Sequence, residues 1–204
     1  MSPEETGQAY NSITHLWTSE EFNRSNGMNA LEQALAYLPQ LPKDAKALDV
    51  GCGCTCRFYP RLAEQGLSIE GIDVSSGMLA IAQKNYPEAT FTHADICTYP
   101  LKPNTYHFIM AWDSIWHVPL TQQPPLIKKL SDALAPNGVF IFSFGGVESA
   151  GEHYDNYMGP RVYYASLGIH GFIELAMQTD CIIKHLNVGK GDEPHSFIVL
   201  QRKS

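Results

Sequence analysis

A chain of 204 residues with an ordinary globular composition can bury a full core as one domain without disulfides or metals. Fourteen Lys and Arg against 21 Asp and Glu give a formal charge of −7, and the cations are scattered. That argues against a nucleic-acid substrate, which needs clustered cations. The start, Met1-Ser2-Pro3-Glu4-Glu5, lacks the basic and apolar segments of a signal peptide, and no apolar run reaches bilayer length. With five cysteines, an odd count that fits a reducing compartment, the expectation is a cytoplasmic protein with no membrane partner.

Residues 8–38 read as mostly helical, with Ile13, Leu16 and Trp17 on one face and Leu31, Leu35 and Leu38 on another. The Asn- and Gly-containing stretch 23–29 interrupts them, and Pro39 and Pro42 close the section. Standing before the first strand, this segment is expected to fold over the ligand edge as a cap, with Tyr10 and Trp17 as candidate pocket walls.

The central stretch is Ala45-Lys46-Ala47-Leu48-Asp49-Val50-Gly51-Cys52-Gly53-Cys54-Thr55. A short apolar run ends in an acid and passes through two glycines, the pattern of a buried parallel strand feeding a tight turn and a helix N-terminus. Backbone there can approach a ligand closely, because no Cβ intervenes. Thr55 stands where a third glycine is common. A β-branched residue tolerates positive φ poorly, so Thr55 is expected to keep ordinary dihedrals and to cap the next helix through its hydroxyl. Arg57, expected in the first turn of that helix, is placed to meet a carboxylate of the ligand or substrate, or to pair with an acidic neighbour. Cys52, Cys54 and Cys56 do not have a usual zinc spacing and read as small side chains packed under the loop.

A second strand, 69–74, carries Asp73, twenty positions after Gly53. That spacing suits a carboxylate accepting hydrogen bonds from ribose hydroxyls, so an adenosine-type ligand is expected on the carboxyl edge of a parallel sheet. The next helix begins at Ser75 or Ser76 and brings Met78 near enough to contact an adenine ring. After a third strand, 89–94, Asp95 is placed to accept from an exocyclic amine, with the Ile96 amide donating to a ring nitrogen. The continuous apolar strand 106–112 runs into Asp113-Ser114-Ile115-Trp116-His117-Val118-Pro119, a mixture of acid, hydroxyl, indole and imidazole over the crevice. A helix from 121 to 135, stopped by Pro136-Asn137-Gly138, and a fifth strand, 139–144, follow. Residues 145–165 read as a long loop rich in glycine and aromatics, and such loops are more often functional than idle. A helix at 166–179 precedes strands 181–188 and 195–201, which a short turn around Gly189-Lys190-Gly191-Asp192 makes antiparallel.

Together these residues resemble the class I S-adenosylmethionine-dependent methyltransferases. The resemblance rests on Leu48-Asp49-Val50-Gly51-Cys52-Gly53, Asp73, Ala94-Asp95-Ile96, Trp112-Asp113 and Leu134-Ala135-Pro136-Asn137-Gly138-Val139, and Thr55 is its departure. It implies an α/β, three-layer, Rossmann-like fold: a mostly parallel seven-stranded sheet with an antiparallel final strand, plus the N-terminal helical cap. The chain is then a single domain, 1–204: cap 1–44, cofactor-binding core 45–144, substrate loop 145–165, and closing helix and hairpin 166–204. The implied cofactor is S-adenosyl-L-methionine, with S-adenosyl-L-homocysteine as product. Gly51 and Gly53 would pass under its methionyl and ribose parts, and Asp49 would face its amino group. Asp73 would hold the ribose, Asp95 and Ile96 would bracket the adenine, and the Trp112 carbonyl would meet the ammonium. Cys52, Val74, Met78 and Asp113 complete that set.

The implied reaction is in-line methyl transfer to a small, uncharged or partly apolar acceptor, met by Tyr10, Trp17, Arg57, Trp116, His117, His153, Tyr154 and Tyr163. His117 is the candidate base for a hydroxyl acceptor. His153, His185 and His195 raise a metal as a second possibility, but no two stand at helical ligand spacing, so none is expected. Two rival readings remain: a non-catalytic scaffold or sensor that binds the same cofactor, and an NAD-dependent oxidoreductase, which the missing third glycine disfavours.

Overall fold

The computed structural model describes residues 1–189 and 195–204, so most of the turn expected at 189–192 lies outside the described residues. Apolar runs bounded by glycine or acid form the strands β1 (Lys46–Val50), β2 (Ser68–Asp73), β3 (Thr90–His93), β4 (Tyr106–Ala111) and β5 (Leu134–Phe144). With β8 (Cys181–Val188) and β9 (Ser196–Arg202) they build one sheet in the order β3-β2-β1-β4-β5-β9-β8. The pairs β1–β2, β1–β4, β2–β3 and β4–β5 are parallel, while β9 runs antiparallel to both β5 and β8. Strand order reverses between β1 and β4, which opens a crevice beyond their carboxyl ends.

Both faces of the sheet are covered. On one face α3 (Met28–Leu35) and α4 (Tyr59–Glu64) bury Leu31, Leu35, Tyr59 and Leu62 against Ala47, Phe108 and Ile141. On the other, α6 (Gln123–Ala133) and α7 (Gly168–Met177) bury Leu126, Ile127, Leu130 and Phe172 against Ile109, Phe140 and Phe142. α5 (Ser76–Asn85) starts as expected, with the Ser75 hydroxyl accepting from the Met78 amide at 3.1 Å.

Several expectations need correction. The helical N-terminal run breaks into α1 (Pro3–Ser12), α2 (His15–Thr18) and α3. α1 begins earlier than expected because Ser2 and Glu5 form a reciprocal capping box ahead of the apolar pattern. Ile13 is buried but Leu16 lies exposed, so they do not share a face. Thr55 caps nothing. Its hydroxyl accepts from Arg57 Nη1 at 3.1 Å, and α4 begins only at Tyr59, so Arg57 belongs to the loop rather than to a helical turn. The positive-φ residues of the loop are Gly51, Gly53 and Cys56. β5 starts at Leu134, immediately after α6, and takes up Pro136 by a jump in register from Leu134 to Val139. The segment 145–165 is not irregular throughout: β6 (Gly151–Asp155) and β7 (Val162–Ser166) pair as an antiparallel hairpin.

Candidate functional site

The crevice at the sheet's carboxyl edge holds a cavity of about 430 Å³, a volume typical of small-molecule sites. Its floor is the glycine loop. The amides of Gly51 and Cys52 both donate to the Ile72 carbonyl, at 2.8 and 3.2 Å, which turns the loop back onto β2. Gly51 has φ +67°, and a Cβ there would fall 2.3 Å from Ser114 Cβ, so only glycine fits. At Gly53, φ +58°, a Cβ would meet nothing within 4 Å, so this backbone faces the open cavity.

Asp73 ends β2 and accepts the Gly53 amide on Oδ2 and the Ser75 amide on Oδ1, each at 2.8 Å. Burial raises its pKa, while these amides pull the other way. Asp49 is buried deeper, and desolvation lifts it to about 7 despite the Arg57 charge nearby. Asp95 accepts the Cys97 amide at 2.8 Å. The turn that follows is held by Lys129 of α6, whose ammonium donates to the carbonyls of Ile96, Cys97 and Tyr99.

Beyond β4, Asp113 adopts φ 56° and is bound from three sides. Ser143 Oγ accepts its amide at 2.7 Å and lies 3.3 Å from Oδ1, Asn26 Nδ2 donates to Oδ2 at 3.1 Å, and His195 Nε2 lies 3.3 Å from Oδ1. His117 sits in a one-turn helix at 115–117 and has a settled tautomer. Its Nδ1 lies 2.9 Å from the Tyr163 carbonyl, which has no proton to give, so Nδ1 is protonated. Nε2 therefore accepts, from the Tyr10 hydroxyl at 2.7 Å and the Trp116 indole at 3.0 Å. Burial holds this imidazole down to about 4.

α1 forms the roof. Asn11 Oδ1 accepts from Ser75 Oγ and the Gly77 amide, both at 2.8 Å, and so docks α1 on the N-terminus of α5. The α-amino group of Met1 donates to Tyr154 Oη at 3.1 Å, joining the cap to the hairpin.

Every residue of the expected cofactor set, from Asp49 to Asp113, lines this cavity, as do Tyr10, Trp17, Arg57, Trp116 and His117. His153, Tyr154 and Tyr163 do not. His153 is exposed beside Asp155, Tyr154 lies on the outer face under Arg161, and the Tyr163 hydroxyl turns away to Glu152. The alternation of β7 presents Tyr164 to the cavity instead. His185 stacks on Phe197, and among the described residues no group of three or more His, Cys, Asp or Glu is arranged for a metal. Asn26, Phe22, Met158 and His195 are wall residues that the sequence reading missed. His195 was accessible in principle, because an antiparallel β9 must begin at the edge where the parallel strands end.

Residues 47–138 match the family model described as a methyltransferase domain. Phosphoethanolamine N-methyltransferase 2 of Caenorhabditis elegans is 30% identical over 124 residues, 57% of this chain and 28% of that protein. The chain spans about a quarter to a half of the length of the curated relatives it matches. The magnesium protoporphyrin IX methyltransferase of Synechocystis PCC 6803, solved with S-adenosylmethionine bound, superposes with TM-score 0.72 at 16% identity, covering 100% of this chain and 98% of that one. The cyclase SpnF superposes with TM-score 0.74 at 16% identity, covering 99% and 96%. Identities this low speak for the fold. Residues 47–138 thus match a methyltransferase domain in sequence, and the sheet order around them is the fold shared with a methyltransferase solved with S-adenosylmethionine bound.

Proposed function

We propose that the protein transfers a methyl group from S-adenosylmethionine to a small-molecule acceptor. The observation that carries this is the joint formed by Asp73 and the Gly53 amide, at 2.8 Å, on a two-glycine loop at the switch point of the sheet. Bound S-adenosylmethionine supplies an activated methyl group on a sulfonium. Asp73 retains lone pairs for the ribose hydroxyls, and Asp95 and the Ile96 amide recognise the adenine edge while Met78 covers its face. Asp49 and the Trp112 carbonyl take the ammonium. A relative named for phosphoethanolamine and a structural neighbour named for a porphyrin support a small acceptor. The acidic cavity gives no purchase for a nucleic-acid backbone.

The protein's main task is alignment of two reactants, which reaches roughly 7 to 11 kcal/mol in favourable intramolecular cases. α1 and the hairpin exclude water. Tyr10 donates to His117, so its oxygen retains lone pairs that can accept a proton from the acceptor while its own passes to Nε2. An imidazole held near 4 is a weak base, but it suffices as methyl transfer makes the acceptor proton strongly acidic.

A shared fold does not fix a reaction, as the cyclase of the same fold illustrates. The test is formation of S-adenosylhomocysteine from S-adenosylmethionine with fractionated small metabolites, alongside calorimetry with both compounds and NAD. Turnover abolished by Asp73→Ala supports the proposal. Tight binding without turnover in any fraction favours a scaffold, and binding of NAD alone overturns the cofactor assignment. His117→Ala is expected to slow turnover by about 10² to 10⁴. Undiminished turnover removes it from the mechanism.

A further inference from the structure

Arg57 is a half-buried cation on the cavity wall with no anion in contact. Its guanidinium carbon lies 4.2 Å above the Phe58 ring centroid and 5.5 Å from that of Phe22. Nε donates to the Asn26 carbonyl at 2.9 Å and Nη1 to the Thr55 hydroxyl at 3.1 Å. Both partners are neutral, and among the described residues no carboxylate lies within 4.0 Å of it.

Two other arginines, the solvent-facing Arg61 and the half-buried Arg202, are satisfied differently. Arg61 forks onto Glu32 at 2.6 and 3.0 Å, and Arg202 gathers the carbonyls of Ser131, Asp132 and Leu134 at the end of α6. Asp113 is already engaged by Asn26, Ser143 and His195.

A guanidinium cannot shed its proton, and the charges of Asp113 and Asp49 offset its desolvation only in part and without contact, so the group remains open to a further anion. Two of its five N–H groups are used, which leaves three donors on a plane fixed by the Phe58 ring and by two hydrogen bonds. Such a fork matches the paired oxygens of a carboxylate. One guanidinium on a wall that also carries Asp49 and Asp113 balances a monoanion better than a phosphate dianion. Thr55, the residue that departs from the glycine pattern, supplies the hydroxyl that orients the fork.

We propose that Arg57 is the seat of a ligand carboxylate, with Thr55 and the Asn26 backbone as its positioning groups. The carboxylate comes either from the amino-acid end of the cofactor or from a carboxylic acid acceptor. The first source rests on the function proposed above. The second revises the expectation of an uncharged acceptor.

Calorimetry on the full chain separates the sources. Wild type, Arg57→Met and Thr55→Val are titrated with S-adenosylhomocysteine and with 5′-methylthioadenosine, which keeps the adenosine but lacks the amino-acid end. Protein saturated with S-adenosylhomocysteine is then titrated with benzoate, citrate and inorganic phosphate. If the cofactor supplies the carboxylate, Arg57→Met weakens S-adenosylhomocysteine about tenfold or more and leaves 5′-methylthioadenosine unchanged. If the acceptor supplies it, both nucleosides bind the variant as they bind wild type, and benzoate or citrate binds only the saturated wild type. Thr55→Val shows a smaller loss in the same arm.

The ligand-free Arg57→Met protein is expected to unfold near the wild-type temperature, since removing a partly desolvated charge offsets the loss of its two hydrogen bonds. A lower unfolding temperature with equal losses for both nucleosides marks Arg57 as a structural residue and overturns the proposal. So does unchanged binding in every arm, or preference for phosphate over both carboxylates. Failure of wild type to bind either nucleoside sinks the cofactor reading itself, and the carboxylate seat then stands or falls on benzoate and citrate with free protein.

Discussion

Gly7 decides whether the cap docks, and replacing it with alanine sets two effects against each other. A Cβ at this position of α1 would fall 2.1 Å from the Val74 carbonyl oxygen and 2.9 Å from its carbon. Val74 follows β2 directly, and backbone there cannot swing aside like a side chain, so α1 must withdraw by about 1 Å to reach ordinary contact. Withdrawal on that scale breaks both hydrogen bonds to Asn11 Oδ1, now 2.8 Å, and the 2.7 Å bond from Tyr10 to His117. Three bonds at roughly 0.5–1.5 kcal/mol each amount to about 1.5–4.5 kcal/mol. Against this, alanine favours the helix itself by about 1 kcal/mol over glycine. The balance is a loss of about 0.5–3.5 kcal/mol in docking, and the steric effect wins. Hydrogen exchange over residues 3–18 should then accelerate and affinity for S-adenosylhomocysteine should fall. The global unfolding midpoint should barely move, because neither core cluster includes residues of α1. Gln8→Ala, at an exposed neighbour, controls for helix propensity. Wild-type protection and affinity in Gly7→Ala would refute the argument that α1 is seated through this glycine.

Three more outcomes follow from the site. Asp49 is held at about 7 by burial, and a cationic ligand favours its ionised form, so binding of S-adenosylmethionine should release a proton. Affinity should fall about tenfold per pH unit below 7 and level off above it, with Asp49→Asn flattening the profile in calorimetry across buffers. For the free protein the sign reverses: an acid raised on folding favours the folded state below its usual carboxylate value and opposes it as pH rises toward 7. Asp49→Asn should therefore stabilise more at pH 8 than at pH 5. Lys129→Met strips a charged donor from three carbonyls of the turn that carries Asp95 and Ile96, at an expected cost of about 1–3 kcal/mol in urea unfolding, with weaker nucleoside binding. Unchanged stability and affinity would show that the turn holds itself. Gly53→Ala should cost only about 1–2 kcal/mol in stability, since its Cβ meets no protein atom, yet abolish nucleoside binding. Retained binding would end the reading that this backbone touches the ligand.

What could be read from sequence was what depends on neighbours along the chain. The two-glycine turn, the acid twenty positions later and the Ser75 cap are local patterns, and the seven-stranded order follows from apolar runs of strand length separated by helices. What escaped depends on residues that meet only in the folded molecule. Tyr10 and His117 stand 107 positions apart, and His195 reaches Asp113 only through the reversal of β9. In the hairpin, a period of two makes a shift of one residue decisive, which is why Tyr164 rather than Tyr163 faces the cavity. Two misses were legible locally. The Ser2–Glu5 capping box sits in plain sight, and Thr55 stands four residues ahead of the start of α4, too far to cap it.

The charge of the cavity bears on which nucleotide-like ligand it takes. Four carboxylates line it, those of Asp49, Asp73, Asp95 and Asp113, against the guanidinium of Arg57. Asp73 is bound by amides on both oxygens, so its charge is partly met; Asp49 is desolvated enough to be held at about 7, and a cation nearby favours its ionised form. A dinucleotide would bring a pyrophosphate into this setting, close to the glycine loop, and both its charges would face acids. S-adenosylmethionine brings a sulfonium and an ammonium, which suit Asp49 and the Trp112 carbonyl, and one carboxylate, for which Arg57 is the available partner. The glycine pattern alone leaves two cofactor classes open. The electrostatics of the residues gathered around it favour the cation.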